Sequence, residues 1–169
     1  LAGIVCDQSI RIAGDEFTAD IMEALRRYHS LLIGERTAEQ IKIQLGAAMK
    51  DLDNPPDDLP VNGRDLVTGI PKQIMVSYQE SSEAREKCSG KIEEAILKAL
   101  ETTPPELAAD IYRRGLYLTG GGALLRGLDK RLGQKIKLPV HIADDPLKSV
   151  VRGTGIALKH YQRFPFIMR

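Results

Sequence analysis

The sequence predicts an α/β protein with an inserted small α+β subdomain, and three observations carry that reading. Residues 115–163 run strand, glycine turn, helix, strand, helix. Upstream, apolar residues recur at helical spacing, as in Ile21, Leu25, Tyr28 and Leu32 on one stripe. Between these parts, residues 46–77 are broken by an acidic, proline-bearing stretch and a turn signal. No internal repeat and no low-complexity tract interrupts the order.

Taken in order, residues 3–6 and 9–13 read as a short β-hairpin around Asp7 and Gln8. Gly14 punctuates the chain and Asp15 is placed to cap the first helix. Thr37 is a suitable cap for a second helix to Leu45, with Gly46 at its end. Residues 51–58 form an acidic loop broken by Pro55 and Pro56. Asn62-Gly63 between two apolar runs is a two-residue hairpin signal, and residues 72–76 suit a further strand. A long helix follows over about residues 83–101, with Ile92, Ile96, Ala99 and Leu100 on one face. Pro104 and Pro105 end it and open a short helix to Ile111.

Residues 115–119 read as a buried strand that enters Gly120-Gly121-Gly122. The next helix turns Leu124, Leu125, Leu128 and Leu132 inward, and residues 138–142 form another strand. Asp145 and Pro146 start the last helix, which reaches about Arg163 before Pro165 stops it.

Composition narrows the function. Lys plus Arg number 24 against 23 Asp plus Glu in 169 residues, a formal net charge of +1. Such a balance, with no basic stripe, argues against nucleic acid as a partner. No apolar run reaches the ~20 residues of a membrane-spanning helix. Cys6 and Cys88 stand far apart with no metal-ligand spacing and read as reduced thiols. The opening of the chain in a strand-like run, without a Met or a cap, reads as a cut through a domain.

Four segments carry chemistry. The turn at Gly120, Gly121 and Gly122 lets backbone approach a ligand and offers N–H groups at a helix start, although a tight turn alone would also need these glycines. The absence of a following Gly-Lys-Ser/Thr and of GxGxxG spacing excludes the two common phosphate fingerprints. On the second helix Glu39 and Lys42 share a face, which is either a ligand-facing pair or a solvated ion pair. Gly14-Asp15 marks a strand-turn-helix. The Gly153-x-Gly155 step in the last helix invites close packing.

Together, SIRIAGDEF, LIGERTAEQIK, PPELAADI, GLYLTGGGALLRGLD and ADDPLKSVVRGTGIAL resemble the MreB family of bacterial actin-like filament proteins, in order and over nearly the whole chain. The resemblance implies the second lobe of the actin-like ATPase fold, a ribonuclease H-like sheet with helices. Residues 1–33 and 104–169 would form its core subdomain, and residues 34–103 the inserted one with an adenosine-contacting helix. By the same resemblance Gly120, Gly121 and Gly122 lie against the adenosine and α-phosphate side of ATP. Glu39 and Lys42 reach the adenine and ribose, and Gly14 and Asp15 support the cleft. The helix around residues 150–158 resembles the one that connects the two lobes.

The family's phosphate loops and the acidic residue that positions water lie upstream of Leu1. No catalytic residue and no metal ligand is therefore assigned on this chain, and ATP with Mg would find half a site here. The resemblance implies an ATPase as the whole protein, with no hydrolysis from this part. It further implies self-association into filaments, cell-shape and wall-synthesis membrane proteins as partners, and membrane contact through the missing half. The expected location is the cytoplasm, at the inner face of the membrane. A small-molecule kinase or a chaperone ATPase of the same superfamily is the alternative. The kinase would need a catalytic Asp and the chaperone a following β-rich domain.

Overall fold

The computed structural model describes residues 4–163. Residues 4–13 carry no strand, so the described part of the expected first hairpin is absent; Gly3 lies outside the described residues. A hairpin of two short strands is marginal without a sheet to join. Ile4, Val5 and Ile10 are exposed, with no sheet face beneath them.

Helix α1 spans Gly14–His29 and buries Phe17, Ile21 and Leu25, three residues of its apolar stripe. Its cap position is Ala13, so Asp15 lies in the first turn, where its charge favours the positive end of the helix dipole. Strand β1, Leu31–Leu32, leads into helix α2, Glu35–Leu45, capped at Gly34; Thr37 therefore also falls inside the first turn. Strands β2, Leu59–Asp65, and β3, Pro71–Val76, complete an antiparallel sheet in the order β1-β2-β3.

Asn62 and Gly63 do not form the turn of this hairpin. They sit in the middle of β2, opposite Gln73 and Lys72, and the chain reverses over residues 66–70 instead. The Asp65 carboxylate holds that reversal by accepting from the N–H groups of Val67 at 2.7 Å and Thr68 at 3.0 Å. Gly63 serves a different purpose. A Cβ there would lie 2.6 Å from the Leu32 carbonyl oxygen, so glycine is what lets β1 run close beside β2.

Helix α3, Tyr78–Ala84, begins earlier than the sequence reading placed a helix. Ser77 Oγ accepts from Glu80 N–H while the Glu80 carboxylate accepts from Ser77 N–H, a reciprocal capping pair. Helix α4, Glu86–Glu101, follows after a break at Arg85. Arg85 is almost fully buried and donates to the Ala47 carbonyl at 3.1 Å. Burial pulls its guanidinium down to about 10, opposed by the Asp20 charge.

Helix α5 covers Pro105–Arg114, strand β4 Leu116–Leu118 and strand β5 Val140–Ile142; β4 and β5 pair in parallel. Between them lie a 3-10 turn at Gly121–Leu124 and helix α6, Leu128–Ile136. Leu125, Leu128 and Leu132 are buried as expected, while Leu124 on the 3-10 turn is exposed. β4 is only half-buried.

Helix α7, Pro146–Lys159, is followed by a 3-10 turn at Tyr161–Arg163. It buries no side chain, and a Cβ at Gly153 or Gly155 would meet nothing within 4 Å. The close packing expected at these glycines thus has no partner among the described residues.

Two apolar clusters hold the chain together. The first joins α1, α2 and the antiparallel sheet through Ile21, Leu25, Leu31, Ile41, Leu45 and Val76. The second gathers Phe17, Cys88, Leu125, Leu128 and Leu132, with Ile92 and Ile96 of α4 against it. Helix α1 contributes to both, Phe17 to one and Ile21 to the other, which fixes its N-terminal end between them.

Candidate functional site

The N-terminal half of α1 and the first two turns of α2 face each other across an open cleft of about 520 Å³. Its lining is Asp15, Thr18, Ala19 and Met22 from α1 with Glu35, Arg36 and Glu39 from α2. That volume lies within the ordinary range for small-ligand sites. Three carboxylates stand against one guanidinium, so the cleft is rich in hydrogen-bond acceptors. It is suited to hydroxyl and amine donors, and Ala19 and Met22 add an apolar strip for a flat or aliphatic surface. An anionic phosphate would be disfavoured beside the three carboxylates.

Behind this lining the two helices are clasped. Lys42 Nζ donates to the Gly14 carbonyl at 3.0 Å and to Thr18 Oγ1 at 3.1 Å, and lies 2.5 Å from Glu39 Oε2. Thr18 Oγ1 lies 2.9 Å from the Gly14 carbonyl and 3.0 Å from Glu39 Oε2, so its single proton can serve either acceptor. Lys42 and Glu39 meet because residues three apart share a helix face. Gly14 and Thr18 meet because residues four apart do the same on α1. The hydrogen bond from Lys42 holds the Glu39 carboxyl below the usual carboxylate range. Partial burial opposes that shift and the hydroxyl of Thr18 adds to it.

The residues singled out from sequence therefore divide. Gly14, Glu39 and Lys42 come together in one network, and Asp15 lines the cleft beside them. Lys42 is not part of the lining. The sequence reading missed Thr18, Glu35 and Arg36. For Thr18 the available signal was its i, i+4 spacing from Gly14, visible only once helix α1 was known to start at that glycine.

Gly120, Gly121 and Gly122 lie outside this lining, in the turn between β4 and the 3-10 segment. Gly120 has φ near 81°, a left-handed value that favours glycine, and its N–H donates to the Pro146 carbonyl at 2.8 Å. As the opening residues of a 3-10 turn, Gly121 and Gly122 present N–H groups without an intrahelical partner. A Cβ at Gly122 would meet nothing within 4 Å, so the backbone there is open to a ligand. The segment just after the turn is tied to the far end of α2. Arg126 N–H donates to Gly46 O, Ala48 N–H donates to Arg126 O, and the Arg126 guanidinium donates to Gln44 O at 2.7 Å.

No group of three metal-ligating side chains occurs among the described residues. No described helix is long and apolar enough to cross a membrane.

Residues 1–165 match the family model described as MreB/Mbl protein. The cell shape-determining protein Mbl of Bacillus cereus is 45% identical over 165 residues, 98% of this chain and 49% of that protein. The cell shape-determining protein MreB of Escherichia coli is 44% identical over 162 residues, 94% of this chain and 45% of that protein. Among solved structures, MreB5 of Spiroplasma citri bound to ADP matches with a TM-score of 0.90 and 37% identity, covering 95% of this chain and 48% of that one. The MamK double helical filament matches with a TM-score of 0.64 at 24% identity over 80% of this chain and 41% of that one, a likeness of fold alone. The chain spans about half the length of the curated relatives it matches.

Proposed function

Because the chain belongs to the MreB/Mbl family, whose fold is actin-like, we propose that it supplies the nucleoside-holding half of an ATP-binding protein. That protein forms filaments, organises cell-wall synthesis and maintains rod shape. The observation that carries the reading is the acceptor-rich cleft between α1 and α2, backed by the Gly14–Thr18–Glu39–Lys42 network. A ribose offers hydroxyl donors and an adenine offers an amine donor and a flat apolar face, which is what such a lining accepts. Support from relatives lies in the ADP complex of Spiroplasma citri MreB5.

In this reading Glu39 accepts from a ribose hydroxyl, and Ala19 and Met22 cover one side of the base. Gly121 and Gly122 turn their free N–H groups towards the phosphate end, which the acidic cleft would repel. Asp15 and Gly14 support the entrance. Bound ATP supplies the phosphate whose presence or loss sets filament assembly. Mg and the groups that position water are assigned to residues outside this chain, so the 169-residue chain by itself hydrolyses no ATP. The whole protein works in the cytoplasm at the inner face of the membrane, with cell-shape and wall-synthesis membrane proteins as partners and membrane contact through the other half.

The test is sedimentation and electron microscopy of the full-length protein with and without Mg-ATP on lipid. Nucleotide-dependent filaments are expected, with Glu39→Ala raising the ATP concentration required. A protein that never assembles but phosphorylates a small molecule would overturn the reading.

A further inference from the structure

Residues 44–50, which carry the chain out of α2, are held by guanidinium groups from three places in the fold. Arg126, just ahead of α6, donates to the Gln44 carbonyl at 2.7 Å. Arg85, at the break between α3 and α4, donates to Ala47 O at 3.1 Å, and Arg131 of α6 to Ala48 O at 3.0 Å. Arg126 also holds the segment through its backbone, in a parallel bridge. Its N–H donates to Gly46 O at 3.1 Å and its carbonyl accepts from Ala48 N–H at 2.8 Å. Gln44 lies in the last turn of α2, where the carbonyls lack intrahelical donors and the dipole leaves partial negative charge, so a cation is well placed there. Glycine permits the close approach: a Cβ at residue 46 would stand 2.3 Å from the Lys42 carbonyl oxygen and 3.2 Å from Leu125 Cδ2.

Only Ala123, Leu124 and Leu125 separate Gly122 from Arg126. That stretch is stiff. Ala123 N–H donates to Gly120 O and Leu125 N–H to Gly122 O, both at 3.2 Å, and Ala123 and Leu125 are buried. Whatever fixes Arg126 therefore fixes the glycine turn as well. We infer that Arg126 is a positioning residue. By clamping the end of α2 it sets the distance between the glycine turn, which takes the phosphate end, and the α1–α2 cleft, which takes the nucleoside. Its guanidinium, occupied by Gln44, touches no phosphate. The inference rests on the nucleotide reading above. A ligand that spans two sites gains from the second only when the sites are held at its own span.

The experiment compares ADP, which spans both sites, with adenosine, which fills the cleft alone. Both are titrated calorimetrically into the full-length protein at several KCl concentrations. Arg126 is exposed, so Met in its place disturbs neither apolar cluster. Arg126→Met is expected to lower the ADP-to-adenosine affinity ratio roughly three- to ten-fold, the net weight of one hydrogen bond. Adenosine affinity should be unchanged. The decline of the ratio with salt should keep its wild-type slope, because no charge that meets the phosphate has been removed. Gly46→Ala strains the same joint with every charge kept; it should lower the ratio too and add little to Arg126→Met.

A flattened salt slope in Arg126→Met would mean that the guanidinium meets the phosphate, and would overturn the inference. An unchanged ratio, or an equal loss for adenosine and ADP, would overturn it as well. Should circular dichroism show Arg126→Met unfolded, Gly46→Ala reads the same ratio, and an unchanged value there overturns the inference. A wild-type protein that binds ADP no better than adenosine defeats the inference and leaves nucleoside binding standing. One that binds neither defeats both.

Discussion

Replacing Arg131 by Met tests how α6 is held to the rest of the chain. The guanidinium donates from Nε to Glu93 Oε1 at 2.5 Å, from both Nη atoms to the Glu86 carboxylate at 2.7 Å each, and from Nη1 to the Ala48 carbonyl at 3.0 Å. These partners differ in what they lose. The Glu86 side chain is 59% exposed, so water replaces its pair at a cost of roughly 0–1 kcal/mol. The Glu93 side chain is 10% exposed and would be left as a charge without its partner. Stranding a buried charge typically costs ~3–5 kcal/mol, and the residual exposure at Arg131 lowers this to about 2–4 kcal/mol. Methionine fills most of the stem volume, so the packing loss is small beside that figure.

Guanidinium denaturation of Arg131→Met should show that loss with an unchanged slope, and a melting temperature lower by roughly 5–15 °C. Adding Glu93→Met removes the stranded charge and should return stability to within about 1 kcal/mol of the starting protein. A single variant that loses less than about 1 kcal/mol, or a double variant no better than the single, would refute the idea that a buried charge pair pins α6 to α4.

Two further outcomes are expected. Gly115 has φ near 71°, and a Cβ there would lie 2.2 Å from the Pro139 carbonyl oxygen, which pairs with Leu116 N–H at the start of β4. Gly115→Ala should therefore cost more than about 2 kcal/mol. Gly90→Ala, inside α4 with open space around it, should stabilise by about 0.5–1 kcal/mol; equal effects in thermal melts would contradict both assignments. Acid should weaken the protein in a predictable window. Lys42 lowers the Glu39 carboxyl, Arg131 lowers Glu86, and the Thr68 and Val67 N–H groups lower Asp65. A depressed folded value stabilises above the unfolded value and is lost as pH falls through the folded one, so the unfolding midpoint should drop below about pH 4.5. A midpoint that rises between about pH 5 and pH 3 would contradict the sign.

Much of this protein is legible in its sequence because it rests on local rules. The stripe through Ile21 and Leu25 makes α1 helical whatever surrounds it. The glycine turn entered at Gly120 was marked as a place for positive φ, and Gly120 adopts it. Separated segments in a fixed order likewise marked the family and the actin-like fold, and the family match and the superposition agree.

What the tertiary structure alone decided is which groups find each other. Asn62-Gly63 carries a strong hairpin signal, yet β1 runs so close to Gly63 that the pair is held in mid-strand and the turn forms at Asp65. The hairpin expected over residues 3–13 has no neighbouring strand among the described residues, and alternation without a partner does not make a sheet. At the cleft, Glu39 and Lys42 were visible as a pair, but the network that holds them was not. It depends on Gly14 and Thr18, which lie on another helix. Periodicity says which face a side chain occupies. The number of acceptors waiting for each of its protons is set by packing between elements, and that is why the Gly14–Thr18–Glu39–Lys42 network emerges only in three dimensions.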